Sequence, residues 1–246
     1  MPASEKDILI LGGTAEAATL ASRLSDKGLH VITSLAGRTR EPAPLKGKTR
    51  TGGFGGPEGL ATYLRDNAIS LLVDITHPFA TKISENARKA AVLSGAKLIA
   101  WQRPAWAKLE GDNWLEVETL AAAVAAIPPD ARVLLALGSQ HIAPFAERAD
   151  VHFLVRMVDA PAAPLPLPNY ELLIARPGPV EEEYALLRDR KITHILCRNS
   201  GGKASYAKIA AARLLGLPII ILARAPAAET TVSIDQIEQQ ILTLVA

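Results

Sequence analysis

Short apolar runs alternate with amphipathic stretches of helical length along nearly the whole chain, and that rhythm constrains the fold more than any other feature. Runs such as Ile8-Leu9-Ile10-Leu11, Leu71-Leu72-Val73 and Ile219-Ile220-Ile221-Leu222 show no polar alternation, so both faces of each must be covered. Parallel sheets with helices on both sides meet that demand, and the expected class is α/β with mostly parallel sheets. In the first half the pattern predicts strands at 7–11, 30–34, 48–51, 70–75 and 97–102, with helices at 15–27, from Pro57, and at 79–94. In the second half it predicts strands at 114–117, 132–137, 151–158, 171–175, 193–198 and 218–224. The helices there are expected at 120–127, 142–148, 180–190, 204–215 and 234–245. The periodicity lapses between Arg103-Pro104 and Asn113, which marks a domain boundary. Pro161 to Pro168 holds four prolines in eight residues and must be an extended connection.

With 246 residues, 49% of them hydrophobic and 21% charged, the chain can bury a sizeable core, which excludes a disordered tail, a collagen-like rod or a disulfide-stapled mini-protein. A net charge of +2 supplies no global field for a nucleic-acid backbone or an anionic membrane. Neither is expected as a partner, and any anion must be held by locally placed bases. One cysteine, Cys197, and five scattered histidines give neither an intramolecular disulfide nor a metal-ligand pattern, so no metal is expected. The sequence holds no apolar stretch long enough to span a bilayer and no signal-peptide core, and the expectation is a soluble cytoplasmic protein.

Several loops after predicted strands can carry chemistry. Gly12-Gly13-Thr14, followed by Ala15 and Glu16, breaks the first strand and enters a helix, which aims backbone N–H groups and the positive end of a helix dipole at whatever lies above. That suits a phosphate, although the spacing departs from G-x-G-x-x-G and a plain tight turn has the same sequence. After the second strand, the acid that grips ribose hydroxyls in NAD-binding or nucleoside-donor folds is missing. The chain reads Ser34-Leu35-Ala36-Gly37-Arg38-Thr39-Arg40 instead, and a guanidinium with hydroxyl partners fits a 2′-phosphate, hence NADP; a solvated basic loop is the plainer alternative. The Gly52 to Pro57 loop, with Gly53 and Phe54, permits close backbone approach, and Asp74-Ile75-Thr76-His77-Pro78-Phe79-Ala80 leaves polar groups at a strand end. His77 is a weak candidate proton donor, since a histidine there more often orients a loop. No G-x-x-x-x-G-K-[ST] and no G-x-S-x-G occurs, which argues against a P-loop hydrolase and against a serine hydrolase.

In the second half Asn199-Ser200-Gly201-Gly202-Lys203 again joins a strand to a helix, with Lys208 about a turn further on, giving a second anion site. For Lys208 an ordinary helix-face lysine is an equal reading. Gly138-Ser139-Gln140 is a third such loop. Arg103, Arg156, Arg176, Arg198 and Arg224 each lie within or just beyond the end of a predicted strand, and if those strands are parallel a carboxylate-rich ligand would meet several forked donors at one edge. Arginine also ends strands because water is there.

These segments together resemble a known family, the precorrin-6A reductases of cobalamin biosynthesis and their cobalt-precorrin-6A counterparts. The resemblance rests on Gly12-Gly13-Thr14 with Glu16, Ser34-x-Ala36-Gly37-Arg38-Thr39, Gly52-Gly53-Phe54-Gly55-Gly56, Asp74-x-Thr76-His77-Pro78-Phe79-Ala80, and Asn199-Ser200-Gly201-Gly202 with Ala207-Lys208. One departure is Ala17-Ala18, where family members often carry an arginine. The resemblance implies two Rossmann-like domains with mostly parallel sheets and the cofactor NADPH in a cleft between them. Residues 1–108 would be the NADP-binding domain and residues 109–246 the domain that completes the substrate cleft. It implies reduction of one double bond of precorrin-6A, a tetrapyrrole rich in carboxylates, to give precorrin-6B. The glycine, Ser34–Thr39 and Thr76–Phe79 segments would then serve the cofactor, with Ser200, Gly201 and Gly202 at its nicotinamide end. Arg103, Ser139, Gln140, Arg156, Arg176, Arg198, Lys203 and Lys208 would serve the substrate. The alternatives are a cobalt-precorrin-6A reductase, a non-catalytic NADP-binding regulator, and a methyltransferase, which the missing acid disfavours. The sequence leaves open the metal in the substrate, the proton donor, the face of hydride transfer and the oligomeric state.

Overall fold

The computed structural model describes residues 7–37, 45–224 and 232–245, and among these residues the chain forms eleven strands and seven α-helices. The first group is β1 (Asp7–Leu11), α1 (Ala15–Asp26), β2 (Val31–Leu35), β3 (Lys48–Thr51), α2 (Pro57–Asp66), β4 (Ile69–Asp74), α3 (Thr81–Ser94) and β5 (Lys97–Ala100). The second is β6 (Trp114–Val117), α4 (Leu120–Ala125), β7 (Arg132–Ala136), β8 (His152–Met157), β9 (Tyr170–Ile174), α5 (Val180–Asp189), β10 (His194–Arg198), α6 (Ala207–Leu215) and β11 (Ile219–Leu222), and α7 (Ile234–Val245) closes the chain. Two compact units result, one of the residues up to Pro104 together with α7, the other beginning at Ala105.

The first unit is a five-stranded sheet of order β3-β2-β1-β4-β5, parallel throughout. Alternation along β1 explains its two layers. Ile8 and Ile10 face α1 and α7, packing with Leu20, Leu24, Ile237 and Ile241, while Leu9 and Leu11 face α2 and α3, packing with Leu60, Leu64 and Ala87. The second sheet has the order β6-β11-β10-β7-β8-β9, also parallel throughout. From β9 inward it reads third, second, first, fourth and fifth strand in chain order after β6, the winding of the first sheet with β6 added at one edge. Both units are therefore Rossmann-like, and each reverses its winding once, between β1 and β4 and between β7 and β10. Ligands in such sheets bind at the carboxyl ends of the strands beside that reversal.

Three expectations are corrected. The lapse near 104–113 does separate the units, but the division falls after Pro104 rather than at 108, and α7, assigned by order to the second domain, belongs to the first. Its apolar stripe covers α1, Arg23 of α1 pairs with Asp235 and Glu238, and Trp101 Nε1 donates to the Val232 carbonyl (2.8 Å). No α-helix forms at 142–148. Single 3-10 turns occupy Ser139–His141 and Ala143–Phe145, because Pro144 lacks an N–H and the chain must turn at once into β8, with Phe145 packed edge-on to Phe153. The helix expected from 204 likewise starts at Ala207, after a 3-10 turn at Lys203–Ser205. The proline-rich segment runs without helix or strand from β8 to its parallel neighbour β9.

Candidate nucleotide site and anion-binding edge

In the first unit the strand ends are level. Leu11 lies opposite Ser34 on one side and Asp74 on the other, Ser34 lies opposite Arg50, and Asp74 opposite Ala100. The loops that leave this row form the edge. Gly12 N donates to the Ser34 carbonyl (3.0 Å) and Ile75 N to the Leu11 carbonyl (3.1 Å), which carries the strand pattern one step past β1. Thr14 is the N-cap of α1. Its Oγ accepts from Ala17 N (3.1 Å) and donates to the Ile75 carbonyl (2.9 Å), tying the helix start to the far side of the winding reversal. Gly13 between them has φ +102°, a conformation side chains avoid, and a Cβ added there meets nothing within 4 Å. The turn is thus open above, with the N–H groups of Ala15 and Glu16 at a helix N-terminus.

Ser34 is buried, and its hydroxyl accepts from the Arg50 guanidinium (2.8 Å). Arg50 also donates to the carbonyls of Gly52 (3.0 Å) and Gly53 (3.1 Å), and its Cζ lies 3.8 Å from the centre of the Phe54 ring. Phe54 stands edge-on to Tyr63 of α2. The loop is pressed against the same helix, since a Cβ on Gly59 would come within 1.8 Å of the Phe54 carbonyl oxygen. Ala36 and Gly37 follow β2 and are exposed; Arg38 and Thr39 lie outside the described residues.

After β4, the buried Asp74 carboxylate accepts from both the backbone N–H (3.1 Å) and the hydroxyl (2.7 Å) of Thr76 and so turns the chain. His77 Nδ1 accepts from Phe79 N (3.2 Å), which places the proton of a neutral ring on Nε2. Pro78 is buried. After β5, Arg103 pairs with Glu16 of α1 (2.9 Å), so two residues expected to touch different ligands hold each other.

The second unit's edge has another character. Arg156, 8% exposed, pairs with the buried Glu183 of α5 (2.8 Å), whose other oxygen accepts from Gly178 N (3.0 Å), while Arg156 Nε is buried with no hydrogen-bond partner. Lys208 is also interior, at 4% exposure, which excludes the ordinary helix-face reading. Its Nζ donates to the Ser205 carbonyl (2.6 Å) and lies 5.1 Å from the centre of the Trp106 ring. Burial lowers the Lys208 pKa, while the neighbouring Cys197 and Glu183 act to raise it and Arg156 to lower it further. Burial also raises the Cys197 thiol. Asn199 clamps Trp106 on both backbone groups, accepting from its N–H (2.8 Å) and donating to its carbonyl (3.1 Å), and Arg224 Nε donates to the Asn199 carbonyl (2.7 Å). Ser200 and Gly202 are buried in the turn, and Gly201 takes a left-handed conformation. Arg176, Lys203 and Gln140 are exposed, Arg198 ends β10, and Ser139 opens the 3-10 turn that follows Gly138. Of the five strand-end arginines, Arg103 belongs to the first unit and the other four to the second.

Sequence reasoning thus locates the loops, Asp74 and Asn199 among them, but misses Arg50, Glu183 and the contacts that Asp74 makes with Thr76 and Asn199 with Trp106. Strand register could have flagged Arg50, as the base opposite Ser34; the other contacts depend on packing between helix and sheet. Among the described residues no cluster of His, Cys, Asp and Glu could hold a metal ion, and no helix is long and apolar enough to cross a membrane.

Comparison with known proteins agrees across nearly the whole chain. The family model described as Precorrin-6x reductase CbiJ/CobK matches residues 7–242. A precorrin-6A reductase of Rhodobacter capsulatus is 47% identical over 88% of this chain and 87% of its own length. A cobalt-precorrin-6A reductase of Priestia megaterium is 30% identical over 88% of this chain and 90% of its own. A solved structure titled CobK precorrin-6A reductase superposes with a TM-score of 0.91 at 43% identity, covering 97% of this chain and 96% of that one.

Proposed function

The chain belongs to the precorrin-6x reductase CbiJ/CobK family, and from that premise we propose that it reduces one double bond of metal-free precorrin-6A with NADPH, giving precorrin-6B. The family makes it an oxidoreductase acting on a tetrapyrrole with a reduced nicotinamide. The observation that carries the choice of nucleotide site is the Gly12-Gly13-Thr14 turn, capped by Thr14, with open space where a Cβ of Gly13 would be. A dinucleotide fits this edge. Its pyrophosphate would be held by the N–H groups at the start of α1, its ribose 2′-phosphate by the loop from Ser34 through Arg38 and Thr39, and the adjoining portion by Gly53, Phe54 and Thr76 to Phe79.

When bound, NADPH supplies the hydride. The chain's own groups do the rest. Asp74 fixes Thr76 and Phe79 N–H fixes the His77 ring, and loops anchored in this way would hold the reactants in one geometry, a contribution to rate that needs no acid or base of the protein. The proton that completes the reduction comes from solvent or from His77 Nε2. In the second unit, Arg176, Arg198 and Lys203 are the bases assigned to substrate carboxylates. Arg156 and Lys208 lie too deep for a surface grip, Arg156 being paired with Glu183 and Lys208 donating to the Ser205 carbonyl. Higher identity to a precorrin-6A reductase than to a cobalt-precorrin-6A reductase supports the metal-free substrate.

Mixing the purified protein with NADPH or NADH and either substrate tests this reading. The expected result is oxidation of one NADPH per metal-free precorrin-6A. Turnover confined to the cobalt form, or equal use of NADH, would overturn the corresponding part, and NADPH binding without turnover on either substrate would favour a regulator.

A further inference from the structure

Arg50 is a guanidinium held rigidly and, among the described residues, left without an opposing charge. Three of its N–H donors are committed, to Ser34 Oγ, the Gly52 carbonyl and the Gly53 carbonyl, and one face is covered by Phe54. All of those acceptors are neutral, and among the described residues no carboxylate pairs with it. This differs from the first unit's Arg23 and Arg103, each of which meets an acid. Among the described residues, two of its five N–H donors have no acceptor. The side chain is half-buried, on β3 directly across from Ser34 at the carboxyl end of β2. Its support is stiff, because Phe54 is locked between Tyr63 and the first turn of α2, where Gly59 leaves no room for a Cβ. A cation braced by neutral groups loses little entropy on meeting an anion and forfeits no salt bridge to do so.

We propose that Arg50 is a specificity-determining residue that binds the ribose 2′-phosphate of the dinucleotide, with Ser34 acting as the positioning residue that aims the guanidinium. This rests on the assignment of NADPH to the first unit, and it moves the site of discrimination from the Ser34–Thr39 loop alone to the β2–β3 pair. It also gives the glycine loop a purpose. The Gly52 and Gly53 carbonyls point at Arg50, and Phe54 is the platform on which it lies.

The test compares wild type with Arg50→Met, which keeps most of the stem, and Arg50→Lys, which keeps the charge without the fork. Dissociation constants for NADPH, NADH, 2′-AMP and 5′-AMP are measured, with melting temperatures as a check on folding. Loss of a charge-assisted contact predicts NADPH and 2′-AMP binding weakened by about tenfold to a hundredfold in Arg50→Met, partial recovery in Arg50→Lys, and NADH and 5′-AMP within about threefold of wild type. Equal weakening for NADPH and NADH would make Arg50 a scaffold and overturn the proposal, as would an undiminished preference for NADPH. A wild type with no preference for NADPH over NADH would instead remove the reading on which the proposal rests. If Arg50→Met fails to fold, Arg50→Gln takes its place, with a loss of the same sign expected and unchanged discrimination counting against the proposal.

Discussion

After β1 the first unit places Gly12-Gly13-Thr14 and then α1, a helix of 12 residues; after β7, the strand at the same place in the winding, the second unit places Gly138 and two 3-10 turns of three residues each. The sheets are alike and the devices above them are not. A long helix aligns many peptide dipoles behind its open N–H groups and offers an anion a fixed positive end, whereas a three-residue turn offers neither. Conversely, the second unit buries Arg156, Glu183 and Lys208 below its edge and carries Arg176, Arg198 and Lys203 at or beyond its strand ends. On the reading proposed above, one winding would serve two kinds of anion recognition, backbone with a braced arginine for phosphate in one unit and side-chain charge for carboxylates in the other.

The largest expected effect falls on the buried pair. Glu183→Gln leaves Arg156 charged and unpaired in the interior, and urea unfolding should show a loss of about 3–5 kcal/mol. A loss below about 1 kcal/mol would mean that the second unit's charges are solvated and that the contrast between the edges is weaker than drawn.

Next comes the turn itself. Gly13→Val adds a side chain at φ +102° in the space assigned to the pyrophosphate, and NADPH affinity should fall at least about tenfold. Gly138→Val, at φ +75° in the second unit, should leave nucleotide affinity unchanged although it too strains the backbone. Equal effects of the two on affinity would erase the distinction between the units.

That both turns exist is legible in the sequence, which favours the first for a phosphate; that the second leads into 3-10 turns rather than a helix is not. The strands, the parallel class and most helices follow from uninterrupted apolar runs and from punctuation by Gly and Pro, local signals that survive in a single chain. Arg50 was hidden because its meaning lies in register, a relation between β2 and β3 separated by a loop. Lys208 was ambiguous because its burial depends on α6 packing beside Trp106. The placement of α7 is set by its apolar stripe, which packs on α1, and not by chain order, which puts it beside the second unit.

A smaller effect follows from Lys208. Its folded pKa is depressed by burial, so between that value and the unfolded one the unfolded chain binds more protons, and stability should rise with pH across that window. The charged form is penalised throughout the range below it. Lys208→Met removes the titration, so the stability of wild type relative to this variant should improve from pH 7 to pH 10, as read by urea unfolding at both. A constant difference would show that Lys208 meets no such penalty.

The smallest effect belongs to the exposed bases. Arg176→Ala and Lys203→Ala should each raise KM a few-fold with little change in kcat, and kcat/KM should decline as ionic strength rises, because such contacts hold ground state and transition state alike. Salt-independent turnover would remove steering by this edge.

Hydrogen–deuterium exchange with and without NADP tests the division of labour most directly. The account predicts slowed exchange at Gly12–Ala17 and Gly52–Gly55 of the first unit and no change at Gly138–Phe145 of the second. Protection at Gly138–Phe145 with none at Gly12–Ala17 would contradict it.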